Sequence, residues 1–254
     1  VSVRPTLWIL GAGGHGRVVA DAAAASAKFA EIVFFDDAAT LAPTSPSAPS
    51  APSAPRVARW PLRGDTEAFF AQPTGAATSI ERHIAIGDNG VRDRLVRRCE
   101  ASQLKLATVV HPAAVVSADA TVGAGAFIAA AAVVAPGADI GIAAIVNHGA
   151  SVDHDNRIGR AVHIGPGAHL GGNVTVGETS WIGLGAALRH GVRVGRAALV
   201  GAGAVVVADV TDAARVVGNP ARPLTDPAHA ADTVDTAGGA APAAHEPPRA
   251  PRQT

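Results

Sequence analysis

The stretch Val122-Gly-Ala-Gly-Ala-Phe-Ile128-Ala-Ala-Ala-Ala-Val-Val134-Ala-Pro-Gly-Ala-Asp-Ile140-Gly-Ile-Ala-Ala-Ile-Val146 carries an aliphatic residue at every sixth position. The register runs on in both directions. From Val110 to Val206 in steps of six, all seventeen positions are Val, Ile or Leu. The residue three later is always Ala, Gly, Asp, Asn or Thr, and the one four later is nearly always small or Val, beginning Ala114, Ala120, Ala126 and Ala132. A helix repeats every 3.6 residues and a strand every two, so neither gives an unbroken period of six. The pattern predicts a β-solenoid instead. Each hexad forms one short strand and a corner, the aliphatic side chain points inward, and a small residue fills the corner.

The hexad pattern resembles the left-handed parallel β-helix of acyltransferases, a prism with three faces and about 18 residues per coil. On that plan, stacked at about 4.8 Å, seventeen hexads make roughly five to six coils about 27 Å tall. Residues 18 apart then form vertical columns. One reads His148, Pro166, Leu184, Ala202, with Gly149, Gly167, Gly185 and Gly203 beside it. Such a low apolar track with exposed backbone suits a long, thin ligand. Asn147, His148, His154, Asp155 and His163 all take outward positions.

Outward from the repeat, the chain divides into four parts. Residues 1–108 read as a βαβ domain, 109–211 as the β-helix and 212–224 as a C-terminal cap. Residues 225–254 form an Ala/Pro/Asp/Thr-rich tail expected to be disordered. Within the first part, residues 43–55 hold Ser-Ala-Pro three times running and read as a polyproline-like loop.

Composition agrees with a narrow solenoid core: 48% of residues are hydrophobic but only 4% aromatic. Twenty-one basic residues balance 21 acidic ones, so no electrostatic nucleic-acid partner is expected. The longest apolar run, Ala126 to Ala135, has ten residues, against about 20 for a bilayer span. The N-terminus does not read as a signal peptide, so a cytoplasmic protein without membrane contact is expected. The numbering contains no Met, so the initiator residue lies outside it. A lone cysteine, Cys99, excludes an internal disulfide framework or a Cys-based zinc cluster.

Near the N-terminus, the apolar strand Leu7–Leu10 runs into Gly11-Ala-Gly-Gly-His-Gly16. A helical stretch follows from His15 to about Ser26, then a strand Ile32–Phe35 ending in Asp36-Asp37. Glycines here let backbone N–H groups approach a phosphate at a helix start, and the acid 20 residues after Gly16 suits a ribose hydroxyl. The motif therefore points to a nucleotide diphosphate. One further strand, His83–Ile86, and one helix, about Asn89 to Ala101 with Asn89 as N-cap, precede the solenoid. Without a second mononucleotide half, an NAD-dependent oxidoreductase is disfavoured. A plain strand-to-helix turn is the alternative, but His15 inside the loop suits a diphosphate or sugar contact better than packing.

Over residues 6–224 these pieces together resemble the sugar O-/N-acetyltransferases, typified by sialic acid O-acetyltransferases and by N-acetyltransferases of nucleotide-linked 4-amino-4-deoxy sugars. The motifs are Gly11-Ala-Gly-Gly-His-Gly16, Asp36-Asp37, Ile84-Ala-Ile-Gly-Asp-Asn89, Val146-Asn147, Val152-Asp-His-Asp155, His163 and Gly218-Asn-Pro-Ala-Arg222. The resemblance implies a homotrimer with active sites between neighbouring β-helices. It implies acetyl-CoA as co-substrate, no metal, and a UDP-, GDP- or dTDP-linked amino sugar as acceptor, for bacterial surface-glycan synthesis. By the same resemblance His154 is the general base, its basicity raised by Asp155 where some relatives carry Glu. Asn147 and His163 bind acetyl-CoA or position the reacting groups, Gly172 lies near the thioester carbonyl, and Leu184 and Ala202 lie along the pantetheine arm. Gly13, Gly14, His15, Asp36 and Asp37 match nucleotide-sugar contacts. An imidazole suits removal of a proton from an attacking amine near neutral pH.

Three alternatives remain. Transfer to a sugar hydroxyl would use the same groups, and a non-catalytic β-helix could bind the nucleotide sugar as a scaffold. Zinc on His148, His154, His163 and His169 would resemble the carbonic anhydrases that share this solenoid, but the spacings of six, nine and six do not match theirs. His83 and His111 read as structural, His190 as a surface residue, and Cys99 as a poor candidate nucleophile.

Overall fold

A computed structural model describes residues 4–37, 56–71 and 79–224. The Ser-Ala-Pro segment at 43–55 and the tail from 225 lie outside the described residues. Among the described residues, five strands and three helices form the α/β part. Strand β1 (Thr6–Leu10) is central, with β2 (Glu31–Phe35) and β5 (Ile80–Ile84) parallel on either side. Strand β4 (Trp60–Gly64) extends the sheet beyond β2 and turns back on β3 (Arg56–Val57), giving the order β3-β4-β2-β1-β5. Helix α1 (Gly14–Ala25) crosses from β1 to β2 and buries Val19, Ala20, Ala22 and Ala23. Helix α2 is Thr66–Phe70, and α3 is Asn89–Ala101.

Three details correct the sequence reading. The strand expected at His83–Ile86 runs earlier, as β5 at Ile80–Ile84. Beyond the single further strand expected, the structure holds the β3–β4 hairpin and α2. The N-cap of α3 is Asp88, whose carboxylate accepts from Val91 N at 2.7 Å. Asn89 is freed for a different task, described below.

From Val109 onward the hexads form seventeen two-residue strands, β6 (Val109–Val110) to β22 (Val205–Val206), one every six residues. Each pairs in parallel with the strand 18 residues away, as Val134 does with Val116 and Val152. Three sheets result, around a core of the hexad aliphatics. The outcome is a parallel β-solenoid of about six coils, consistent with the left-handed form. Strand β23 (Arg215–Val217) adds to one sheet and β24 (Arg222–Pro223) folds back on it.

The corners explain the small residues. From Gly125 to Gly203, the residue three after each aliphatic is left-handed in fourteen consecutive hexads, and only Gly, Ala, Asp, Asn and Thr occur there. Along one edge, Gly123, Gly141, Gly159, Gly177 and Gly195 stack 18 apart, where a Cβ would come within 3 Å of the next coil's backbone. Small residues let the coils close to strand spacing.

The outward side chains distinguish the three faces. The docked sheet (β6, β9, β12 and every third strand) presents Phe127, Ile145 and His163, all buried beneath the α/β part. The polar sheet presents Thr121, Asp139, Arg157, Thr175 and Arg193, with Thr121 Oγ1 donating to Asp139 at 2.6 Å. The bare sheet presents Val115, Val133, Ser151, His169, Ala187 and Val205; Val115 is 64% exposed.

Helix α3 fastens the two architectures along the edge between polar and docked sheets. Arg92, 1% exposed, donates to Ala143 O and Ala161 O on consecutive coils, to Ile86 O and Gly87 O, and to Asn89 Oδ1, at 2.7–3.0 Å. Asn89 Nδ2 continues the line, donating to Thr179 O and Ser180 O on the next coil. Arg160 reaches back to Asp93 and Glu100 on α3. No helix among the described residues is long and apolar enough to cross a membrane.

Candidate active site

His154 and Asp155 occupy the corner between the bare and polar sheets. Asp155 is one of the left-handed corner residues (φ 58°), a conformation Asp tolerates better than most residues. Its Oδ2 lies 2.8 Å from His154 Nδ1, which places the proton on Nδ1 and leaves Nε2 to accept. The hydrogen bond donated to Asp155, supplemented by the charge of Asp153, raises the pKa of His154 above its ordinary value. Both side chains are well exposed. One coil below, Gly172 lies directly beneath the ring, and any Cβ there would collide with Nε2 and Cε1. The sequence expectations for His154, Asp155 and Gly172 thus fall on one spot.

Asn147 and His163 form a second group, at the corner between docked and bare sheets. Asn147 Nδ2 stands 3.1 Å from His163 Nε2, and Asn147 Oδ1 accepts from His148 N. His163 packs at a tilt against Trp181 one coil below, at 4.1 Å between centroids. Its Nδ1 is enclosed on the Gly87 side. His15 enters from the glycine loop to 6.3 Å from His163 and packs edge-on against Phe127. His15 therefore faces the solenoid and packs as well as lining the loop, a role the sequence reading set aside. His83 completes this junction, with Nδ1 donating to Ala107 O.

Burial holds all three junction histidines neutral. It lowers His15 to about 3, helped by the charges of neighbouring histidines and Arg92, and lowers His83 and His163 to about 4. In the unfolded chain each titrates near 6.5. The unfolded state therefore binds more protons as pH drops from about 6.5 toward 4, and stability is lost across that window. For His83 alone, the loss at pH 5 is on the order of 2 kcal/mol. Thermal melts between pH 7.5 and 5 are expected to show a falling midpoint that His83→Gln flattens.

The same corner column continues as His148, Pro166, Leu184 and Ala202, and Leu184 is 61% exposed. A Cβ at Gly149, Gly167, Gly185 or Gly203 would meet nothing within 4 Å, so the track is open as expected. At its upper end a cavity of about 400 Å³ opens toward α1, lined by Gly14, Arg17, Asp21, His111, Phe127 and His148.

The glycine loop splits into two kinds of position. Gly11 (φ 108°) and Gly16 are required by the fold. A Cβ on Gly11 would meet Ala85 O at 2.7 Å, and one on Gly16 would strike Gly11 O. Gly13 and Gly14 are exposed, and a Cβ on either meets nothing within 4 Å; they keep space clear at the start of α1. Asp36 Oδ2 accepts from Ala12 N at 2.6 Å, bracing the loop, and Asp37 Oδ1 accepts from Thr66 N.

The structure does not bring the two histidine groups together. His148 and His154 sit at opposite edges of the bare sheet, six residues apart, a span of up to about 20 Å. Cys99 is fully buried on α3, and desolvation pushes its thiol up to about 11, so it is no nucleophile. Among the described residues, no cluster of three or more His, Cys, Asp or Glu side chains is disposed to hold a metal.

Comparison with known proteins places these features. The PglD N-terminal domain family matches residues 6–99. Among solved structures, the acetyltransferase domain of PglB from Neisseria gonorrhoeae FA1090, in complex with acetyl coenzyme A, is 39% identical. The match covers 87% of this chain and 100% of that one, with a TM-score of 0.77. GDP-perosamine N-acetyl transferase from Caulobacter crescentus, in complex with CoA and GDP-perosamine, is 34% identical, with coverage of 89% and 99% and a TM-score of 0.74. WeeI from Acinetobacter baumannii AYE shares the fold at 24% identity, covering 86% and 99%, with a TM-score of 0.70. No curated protein matches the sequence.

Proposed function

The chain belongs to the sugar N-acetyltransferases of the hexapeptide-repeat superfamily, and from that premise we propose how this one works. It transfers acetyl from acetyl-CoA to the amine of a nucleotide-linked 4-amino-4-deoxy sugar, directly and with His154 as general base. One observation carries the assignment of the base. His154 presents Nε2 outward above Gly172 while Asp155 holds Nδ1. A carboxylate on Nδ1 fixes the tautomer and favours proton uptake at Nε2, which an attacking amine requires.

Acetyl-CoA supplies the thioester, and the residues present fit it. The open track of His148, Pro166, Leu184 and Ala202 takes the pantetheine arm, and Asn147 and neutral His163 position the thioester end. Gly171 N and Asn173 N are engaged within the solenoid, so the Gly172 N–H between them is the donor suited to the negative charge developing on the carbonyl oxygen. Gly13, Gly14 and His15 with Asp36 and Asp37 hold the nucleotide sugar, its diphosphate at the start of α1. Gly14→Val is expected to raise the KM for the nucleotide sugar about tenfold, with acetyl-CoA KM unchanged. A rise in acetyl-CoA KM instead would reverse this division of labour.

The reading includes a homotrimer. With the base at one edge of the bare sheet and the thioester track at the other, no single chain assembles the site. The bare sheet is apolar or small-sided in five of its six outward positions, which suits burial against a second copy. Each base would then face a neighbour's track. We assign the protein to the cytoplasm and to bacterial surface-glycan synthesis. The test is thiol release from acetyl-CoA with UDP-, GDP- and dTDP-linked 4-amino sugars. Release with one nucleotide amino sugar and none with its 4-hydroxy counterpart supports N-transfer. Release with the hydroxyl sugar alone would favour O-transfer, and no release with any would favour a scaffold.

A further inference from the structure

We propose that Gly137, one coil above the pair, is a positioning residue that keeps Asp155 turned toward His154. The proposal rests on the reading of His154 as base but concerns the carboxylate's geometry. Asp155 is largely exposed and free to rotate toward water. Its Oδ1 lies beneath Gly137, 2.6 Å from where a Cβ on that residue would sit, while Oδ2 faces His154 Nδ1. A methyl group at 137 therefore cannot coexist with the present carboxylate. What gives way is the end of a short side chain, not the backbone, so the fold is spared and the pair is broken. Together with Gly172 beneath the imidazole, Gly137 leaves the pair a glycine-floored space above and below. An Asp in place of a longer Glu keeps its carboxylate close to its own coil, which makes the hollow above it decisive for orientation.

Gly137 is left-handed (φ 71°), so backbone strain must be separated from the contact. The fold supplies the control. Gly191 lies in the same corner column three coils below, with φ 72°, and a Cβ there meets nothing within 4 Å. Ala already occupies equivalent corners at 131, 143, 161 and 197, with φ between 51° and 59°. Gly137→Ala and Gly191→Ala thus carry the same strain, and only the first touches the pair.

The experiment is an NMR titration of His154 in the full chain, its signal identified by its absence in His154→Ala, alongside kcat/KM. In Gly137→Ala the His154 pKa is expected to fall toward the ordinary 6.5, and kcat/KM to drop about tenfold, within the usual range for an impaired base. Gly191→Ala is expected to leave both unchanged. In an Asp155→Ala background, adding Gly137→Ala is expected to cost nothing further. An unchanged titration in Gly137→Ala, an equal change in Gly191→Ala, or unfolding of Gly137→Ala alone would each overturn the proposal. The titration needs no turnover, so it stands or falls apart from the reading of His154 as base.

Discussion

Replacing His154 by Ala is expected to lower acetyl-transfer turnover at least ~100-fold, within the usual range for loss of a general base. The KM for both substrates should stay within a few-fold, because the imidazole acts on the proton of the attacking amine. Asp155→Asn should behave differently. It removes the carboxylate whose hydrogen bond raises the His154 pKa, so the acidic limb of the pH–rate profile moves to lower pH while the plateau falls. The sign follows from the base being active only when deprotonated. A His154→Ala protein with normal turnover would remove this residue from the mechanism. An acidic limb unmoved by Asp155→Asn would remove the coupling between the two.

Replacing Arg92 by Met is expected to have the largest effect on stability, on the order of 3–5 kcal/mol, from several buried acceptors that each lose a donor at about 1 kcal/mol or more. The guanidinium makes hydrogen bonds to four carbonyls and the Asn89 amide. Met leaves those acceptors buried without donors. Lys, with three donors in place of five, should recover only part. A fall in melting midpoint of roughly 10 °C follows for a chain of this size. A midpoint within 2 °C of the parent would mean that the α/β part docks without this residue.

Much of the solenoid was legible because its constraint is local and repeated. One aliphatic per hexad and a left-handed corner three residues later leave a period that nothing else produces. The half-domain was legible where an apolar run or a helical pattern is plain, in β1, α1 and β2 for the first and in α3 for the second. It was not legible in β3, β4 and α2, because Trp60-Pro-Leu-Arg-Gly64 carries a proline and a glycine and lies beside the Ser-Ala-Pro segment. The period also says nothing about which face is covered, since that depends on where another part of the chain docks.

The site was legible in unequal parts. His154 and Asp155 are sequence neighbours, so their contact needed only the corner, whereas Gly172 needed the 18-residue column. Arg92 lies one turn after Asn89, and that spacing alone does not tell that its guanidinium is buried against the solenoid. The signal was nonetheless present: Asn89, Arg92, Val96 and Cys99 recur at helical spacing and share α3's buried stripe. His15 was read as lining the nucleotide loop alone. Its approach to His163 depends on docking between the two architectures, which no local pattern encodes. Gly137 belongs to the same class, since it matters only through Asp155 one coil away.

The most direct test of the central claim is the identity of the product. The protein is incubated with acetyl-CoA and the accepted nucleotide-linked 4-amino sugar, and the sugar is examined by mass spectrometry and NMR. An acetamide at the former amine, formed one-for-one with released CoA thiol and absent with His154→Ala, is the result predicted. An acetate ester on a sugar hydroxyl, or thiol release without any acetylated sugar, would contradict it.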